Sequence, residues 1–191
     1  LPRVGWQCEI PNRSIACKWY GRGPHENYVD RNTGSWTTTH EMLALMMFHR
    51  YVDPQESGNR TDIRWFSFSS PMGGSSLRVD ATGDHLLEMG IYPCKAEDIT
   101  LAMHPVEIPK RDLLTLNIDH RQSGLGGTNS WGELALPQYR LPSNKEYRWS
   151  CMLTFSETAA PPQNQRRPMM PPVGLPKVPV KPQVKPAAEK K

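Results

Sequence analysis

Glycines at 124, 126, 127 and 132 bracket a polar turn in the run Gly124-Leu-Gly-Gly-Thr-Asn-Ser-Trp131-Gly132, a spacing that sets a large flat indole at the end of a sharply turning loop. Glycine reaches backbone angles closed to other residues, so such a loop turns tightly and lets another group approach its backbone. Two uses of the indole fit. Trp131 can stand out as a stacking platform, one wall of a binding site whose supporting loop is Gly126, Gly127, Asn129 and Ser130. Alternatively it packs into the core at the end of a tight hairpin.

Other chemistries fail on spacing. His25-Glu26 opens like a zinc-protease signature, but position 29 is Val, so the second histidine is missing and a zinc site there is excluded. The glycine turn is neither a dinucleotide nor a phosphate loop, because Asn129 stands where the third glycine belongs and no Gly-Lys-Ser follows. Cys8, Cys17, Cys94 and Cys151 form no Cys-x-x-Cys pair and read as buried free thiols, with a Cys8 to Cys17 bridge the alternative in an exported protein. Asn12-Arg-Ser14 and Asn59-Arg-Thr61 match a glycosylation sequon that is common by chance. Glycoside hydrolysis needs two carboxyl groups facing each other across a sugar. Glu26, Asp30, Glu56, Asp62, Asp112 and Asp119 are available, but no local context marks an acid or a nucleophile, and pairing with nearby arginines is the expected fate of most.

The elements that position these residues read as strands. Residues 147–155 alternate, with Tyr147, Trp149, Cys151, Leu153 and Phe155 on one side and polar residues on the other, the pattern of a half-buried strand. Shorter runs at 16–20, 64–69 and 113–119 are bounded by Gly, Pro, Asn or Ser, which predicts an antiparallel all-β protein. Thr39 to Phe48, with Leu43, Met46 and Met47 at helical spacing, and Cys94 to Met103, where Ala96-Glu97-Asp98 can open a helical turn, read as connectors.

Composition divides the 191 residues at Phe155, giving a body over 1–156 and a tail over 157–191. The tail holds nine prolines, with Pro176, Pro179 and Pro182 three apart, and no aromatic residue, so an extended disordered segment is expected there. Residues 159–191 carry a net charge of +6, leaving about −2 on residues 1–158, so the basic balance gives no support to a nucleic-acid-binding face. No apolar run approaches the length that crosses a bilayer, and with Leu at position 1 and no leader the chain reads as a soluble part of something longer. Its compartment is not legible.

Five peptides then carry a resemblance: Leu1-Pro-Arg-Val-Gly5, Trp19-Tyr-Gly-Arg-Gly-Pro-His-Glu-Asn-Tyr28-Val-Asp-Arg31, Pro54-Gln-Glu-Ser-Gly-Asn-Arg-Thr-Asp-Ile-Arg-Trp65, Leu116-Asn-Ile-Asp119 before the glycine turn, and Tyr139-Arg-Leu-Pro142 after it. In order and spacing, residues 1 to about 156 resemble the C-terminal part of large β-galactosidases of the glycoside hydrolase family 2 type. The tail lies outside that pattern, and Ser57, Gln122, Ser123 and the stretch 37–48 depart from it.

The resemblance implies the C-terminal portion of an antiparallel β-supersandwich related to galactose mutarotases. It implies a parent enzyme that hydrolyses terminal β-galactosides such as lactose with retention, its two catalytic glutamates in a (β/α)₈ barrel outside this chain. Trp131 matches the tryptophan that such a domain lends to the active-site mouth, where an indole face packs against the C–H edge of a sugar ring. The family's magnesium and sodium ligands are expected outside this segment, so no cofactor is assigned to it. Implied partners are a β-galactoside, the remaining domains of the parent chain and further copies in a homo-oligomer. The residues themselves leave two rival classes, a non-catalytic carbohydrate-binding module and a domain-assembly scaffold. The Arg22, Glu26, Asn27 run is expected to be a hydrogen-bonded corner that satisfies loop carbonyls and amides.

Overall fold

The computed structural model describes residues 1–12, 15–70 and 73–158. Nine strands dominate: β1 (Arg3–Pro11), β2 (Ala16–Gly23), β3 (Trp36–Leu43), β4 (Arg60–Ile63), β5 (Trp65–Ser69), β6 (Gly74–Thr82), β7 (Leu87–Tyr92), β8 (Leu113–Gln122) and β9 (Ser150–Thr158). A short helix, α1 (Ala96–Leu101), follows β7, at the turn foreseen from Ala96-Glu97-Asp98. The chain is all-β, with every named strand pairing antiparallel. Strand order is β1-β8-β7-β4 in one sheet and β3-β2-β5-β6-β9 in the other.

Alternation explains how the sheets meet. In β2, Cys17 and Trp19 point inward while Lys18 and Tyr20 face solvent, and in β8 Leu114, Leu116 and Ile118 point inward. These side chains join Phe66, Phe68 and Val79 of the five-stranded sheet and Leu87, Met89 and Ile91 of β7 in one apolar core between the sheets. The opposite face of β7 and β8 is covered as well, so Glu88, Thr115, Asn117 and Asp119 are buried beneath the loops. A second small cluster, Phe48, Tyr92, Cys94 and Ile99, packs under α1.

Three expectations need correction. Thr39 to Leu43 are not connector but the last five residues of β3, which pairs along its whole length with β2, and only Ala44–Met46 form a 3₁₀ turn. The helical spacing misled because Leu43 and Met46 are exposed and only Met47 of that trio reaches the core. The strand expected over 147–155 runs over 150–158, so Glu157 and Thr158, placed in the tail on composition, pair with Ser75 and Gly74. The rest of the tail lies outside the described residues. Of the thiols, Cys17 and Cys94 are buried, Cys8 is exposed, and all four cysteines are free.

One margin of the sandwich is open. β1 and β9 are edge strands of their sheets, and the Trp6 and Trp149 rings meet 4.9 Å apart between them. Along this seam apolar side chains on inward positions remain in contact with solvent, Trp6 at 54% and Phe155 at 72% exposure. Ile10, Phe68, Leu77 and Phe155 line a cavity of about 360 Å³ at its end.

Candidate functional site

The glycine loop leaves β8 at Gln122 and is tied at its neck from two directions. Gly124 N donates to Tyr139 O at 2.8 Å, and Gly127 N donates to Glu133 O at 2.8 Å, closing the returning strand of the loop on itself. From the body of the protein, Asp30 Oδ2 accepts Gly126 N at 2.9 Å across 96 residues of sequence. The neck admits no side chain at two points. A Cβ on Gly124 would lie 2.8 Å from the Asp30 carboxyl carbon, and one on Gly126 would lie 2.5 Å from Ala135 N and Glu133 O. Gly126 also has φ near +72°, a left-handed conformation that costs other residues about 1–2 kcal/mol.

Beyond the neck, residues 127–134 are all exposed. Asn129 shapes the tip: its Oδ1 accepts Trp131 N at 2.9 Å while its Nδ2 donates to Glu133 Oε2 at 3.3 Å. Ser130 sits exposed beside them. The loop thus brings all of the residues singled out from sequence into one projection, and Trp131 stands at its end with 91% of its surface in solvent. The core-packed hairpin reading of Trp131 does not hold in this chain. An aromatic side chain gains on the order of 3 kcal/mol from burial, and this loop forgoes that gain.

The two polar runs on either side of β3 dock on each other. Arg22 donates to the carbonyls of Asn32 and Ser35 and pairs with Asp62 at 2.5 Å. Glu26 accepts Gly58 N at 2.7 Å and the hydroxyls of Tyr28 and Tyr51, and Asn27 Oδ1 accepts both Thr61 N and Thr61 Oγ1. His25 is bonded to Ser35 Oγ. These are the carbonyl and amide contacts of a structural corner. Sequence reasoning missed its keystone, Arg60, which is buried and donates to the carbonyls of Met47, Gly58 and Pro24 while lying over the Trp19 ring. Burial lowers its pKa to about 10, which still leaves it charged at neutral pH. The one sequence signal, Asn59-Arg-Thr61, resembled a sequon, yet Asn59 is fully buried and closed to any glycan.

Of the six candidate carboxyls, Asp112 is exposed and the other five are bonded or enclosed. Glu56 accepts from Arg3 and the Tyr92 hydroxyl. Glu88 and Asp119 are cross-strand partners on β7 and β8, both buried, with Arg121 3.6 Å from the first and Arg3 3.3 Å from the second. Burial pushes each up to about 7 against the pull of those arginines. Neither was marked as special by its neighbours in sequence, because their burial comes from loops contributed by distant segments. No group of three or more His, Cys, Asp or Glu among the described residues is arranged to hold a metal ion.

The chain is thus an all-β protein of two antiparallel sheets that projects one aromatic from a glycine neck, and comparison with known proteins gives its family. The family described as β-galactosidase small chain matches residues 1–153, and the chain belongs to it. It is 32% identical over 147 residues to a β-galactosidase of Priestia megaterium, 77% of this chain but 14% of that protein. A β-galactosidase of Halalkalibacterium halodurans shares 32% over 146 residues, 76% of this chain and 14% of its own length, and one of Vibrio cholerae shares 32% over 167 residues, 85% and 15% respectively. The chain therefore spans about one seventh of the curated relatives that it matches.

Proposed function

We propose that this chain is the segment of a β-galactosidase that completes the mouth of the active site, with Trp131 as the sugar-stacking wall and Gly126, Gly127, Asn129 and Ser130 as its support. The observation that carries this reading is the exposure of Trp131, 91%, at the tip of a loop whose neck is fixed on both sides. An indole held away from the core has its face free for the C–H edge of a galactosyl ring, while the sugar hydroxyls take their hydrogen bonds from polar groups elsewhere. The parent enzyme in this reading cleaves terminal non-reducing β-D-galactosides with retention, and its acid and nucleophile lie outside these residues. The enclosure of Glu88 and Asp119 and the engagement of Glu26 and Glu56 by arginine, tyrosine and amide donors support that division of labour. The magnesium and sodium of the family belong, on the same reading, to sites beyond this segment. Trp131 binds and orients; it moves no proton.

The sandwich is proposed to be one part of a galactose-mutarotase-like supersandwich, joined through its open seam to the rest of a homo-oligomeric parent. The 14% coverage of the relatives supports a larger assembly, and the exposed apolar side chains on β1 and β9 support contact there. The test is the affinity of a non-hydrolysable thiogalactoside for the assembled enzyme carrying Trp131→Ala or Trp131→Phe. Loss of a stacked ring typically costs about 1–3 kcal/mol and appears as raised KM with little change in kcat, partly recovered by Phe. Unchanged inhibitor affinity in Trp131→Ala would sink the reading. Tight galactoside binding by the isolated chain would instead favour an independent carbohydrate-binding module.

A further inference from the structure

We propose that Asp30 is the positioning residue of the Trp131 platform, a role that rests on the reading of Trp131 as a sugar-stacking wall. Among the described residues, the hydrogen bonds made by positions 124–134 stay within the loop and its return to Tyr139, with one exception, the bond from Gly126 N to Asp30 Oδ2. Within 124–134 that bond alone reaches the part of the chain that precedes β8; at the root of the loop, Ser123 N also donates to Pro2 O at 2.8 Å. The Gly126 bond sits four residues after the end of β8 and five before Trp131, at the last partly buried residue ahead of the eight exposed ones. A carboxylate accepting a backbone amide makes a charge-assisted bond, stronger than a neutral one.

The sequence on both sides is fitted to this contact. Gly124 leaves the space that the carboxyl group enters, since a Cβ there would meet Asp30 Cγ and Oδ2 at 2.8 Å. Asp30 in turn rides on a corner with little freedom: Arg31 N donates to Tyr28 O at 2.8 Å, the Tyr28 ring is buried, and the Arg31 guanidinium lies 5.0 Å from its centroid. Three residues before Asp30, Asn27 is locked to Asn59 and Thr61. The two polar runs therefore have a use beyond holding themselves together. They form a rigid bracket whose free end is the Asp30 carboxylate, and the bracket sets the direction in which the glycine loop projects its indole. Asp30 touches no reacting atom in this proposal; it acts through Gly126.

Two measurements test it. In the 191-residue chain labelled with 5-fluorotryptophan, with the Trp131 resonance assigned by Trp131→Phe, Asp30→Ala shifts or broadens the ¹⁹F signal of Trp131 and leaves that of buried Trp19 in place. Asp30→Asn, whose amide oxygen still accepts from Gly126, restores it. In the assembled β-galactosidase, Asp30→Ala raises KM and the thiogalactoside dissociation constant by about 5- to 10-fold with kcat nearly unchanged, Asp30→Asn recovers most of this, and the Asp30→Ala, Trp131→Ala double variant is no worse than Trp131→Ala alone. A Trp131 resonance unmoved in Asp30→Ala overturns the proposal, as does full additivity of the two substitutions. Unchanged affinity in Trp131→Ala overturns the platform reading and takes this role with it, whereas weakened affinity in Trp131→Ala beside normal affinity in Asp30→Ala removes the proposal alone.

Discussion

Trp19 and Trp131 are one residue type in opposite settings, the first at 0% exposure under Arg60 and the second at 91%. Trp131→Ala is expected to leave the melting temperature within about 1 °C of the parent chain, since it removes almost no buried surface, whereas Trp19→Ala should cost about 3–5 kcal/mol and threaten the fold. Thermal melts of both variants check this. Glu88 and Asp119 make a second expectation. Their folded-state values near 7 lie above the ordinary 4.5 and 3.8, so protonation favours the folded chain. Their stabilising contribution is complete below about pH 4 and is lost as pH rises through 7. For Glu88 the difference is on the order of 3 kcal/mol. Asp98, held low by the Arg111 guanidinium, works in the opposite sense, so the comparison with Glu88→Gln is the test. Urea midpoints should fall between pH 5 and pH 8 in the parent chain and fall less in Glu88→Gln; identical slopes would refute the assignment.

At the scale of elements, legibility in the sequence tracked how locally a residue's environment is decided. β2, β5 and β8 were readable because each alternates cleanly about a core face, and the Gly124 to Gly132 loop was readable because positive φ at 126, 127 and 132 is a backbone demand that only glycine meets freely. β3 was not, because Thr37-Thr-Thr39 and His40 carry no apolar face, and the strand is held by its backbone pairing with β2. β7 was not singled out, although Leu87, Met89 and Ile91 alternate with Glu88 and Gly90 much as the apolar and polar residues of β8 do. The Asp30 contact was also out of reach, since nothing in either peptide predicts a bond across 96 positions. Gly126→Ala joins the left-handed strain to a 2.5 Å clash with Ala135 N and Glu133 O. It should destabilise the loop by about 2 kcal/mol or more, visible as accelerated amide exchange at residues 127–134 with the sandwich unchanged. Exchange rates equal to the parent's would show that the neck is soft.

For the whole molecule, the chain spans about one seventh of its relatives, and on the proposed reading activity is a property of an assembly in which this sandwich is one part. The purified chain is expected to hydrolyse no chromogenic β-galactoside above a contaminant control. Alone it should self-associate through β1 and β9, and Phe155→Lys should shift sedimentation toward monomer without lowering the melting temperature, because Phe155 is already 72% exposed. A sharply monomeric parent chain would show the seam to be inert. That seam also holds a chemical reporter. Cys8 lies on β1 opposite Leu116 and is exposed, whereas Cys17 and Cys94 are buried. Partial burial raises its pKa, so alkylation at mildly alkaline pH should mark it slowly in the free chain. Once neighbouring strands close over β1, the same thiol should fall silent to the reagent, and its rate of labelling becomes a clock for assembly.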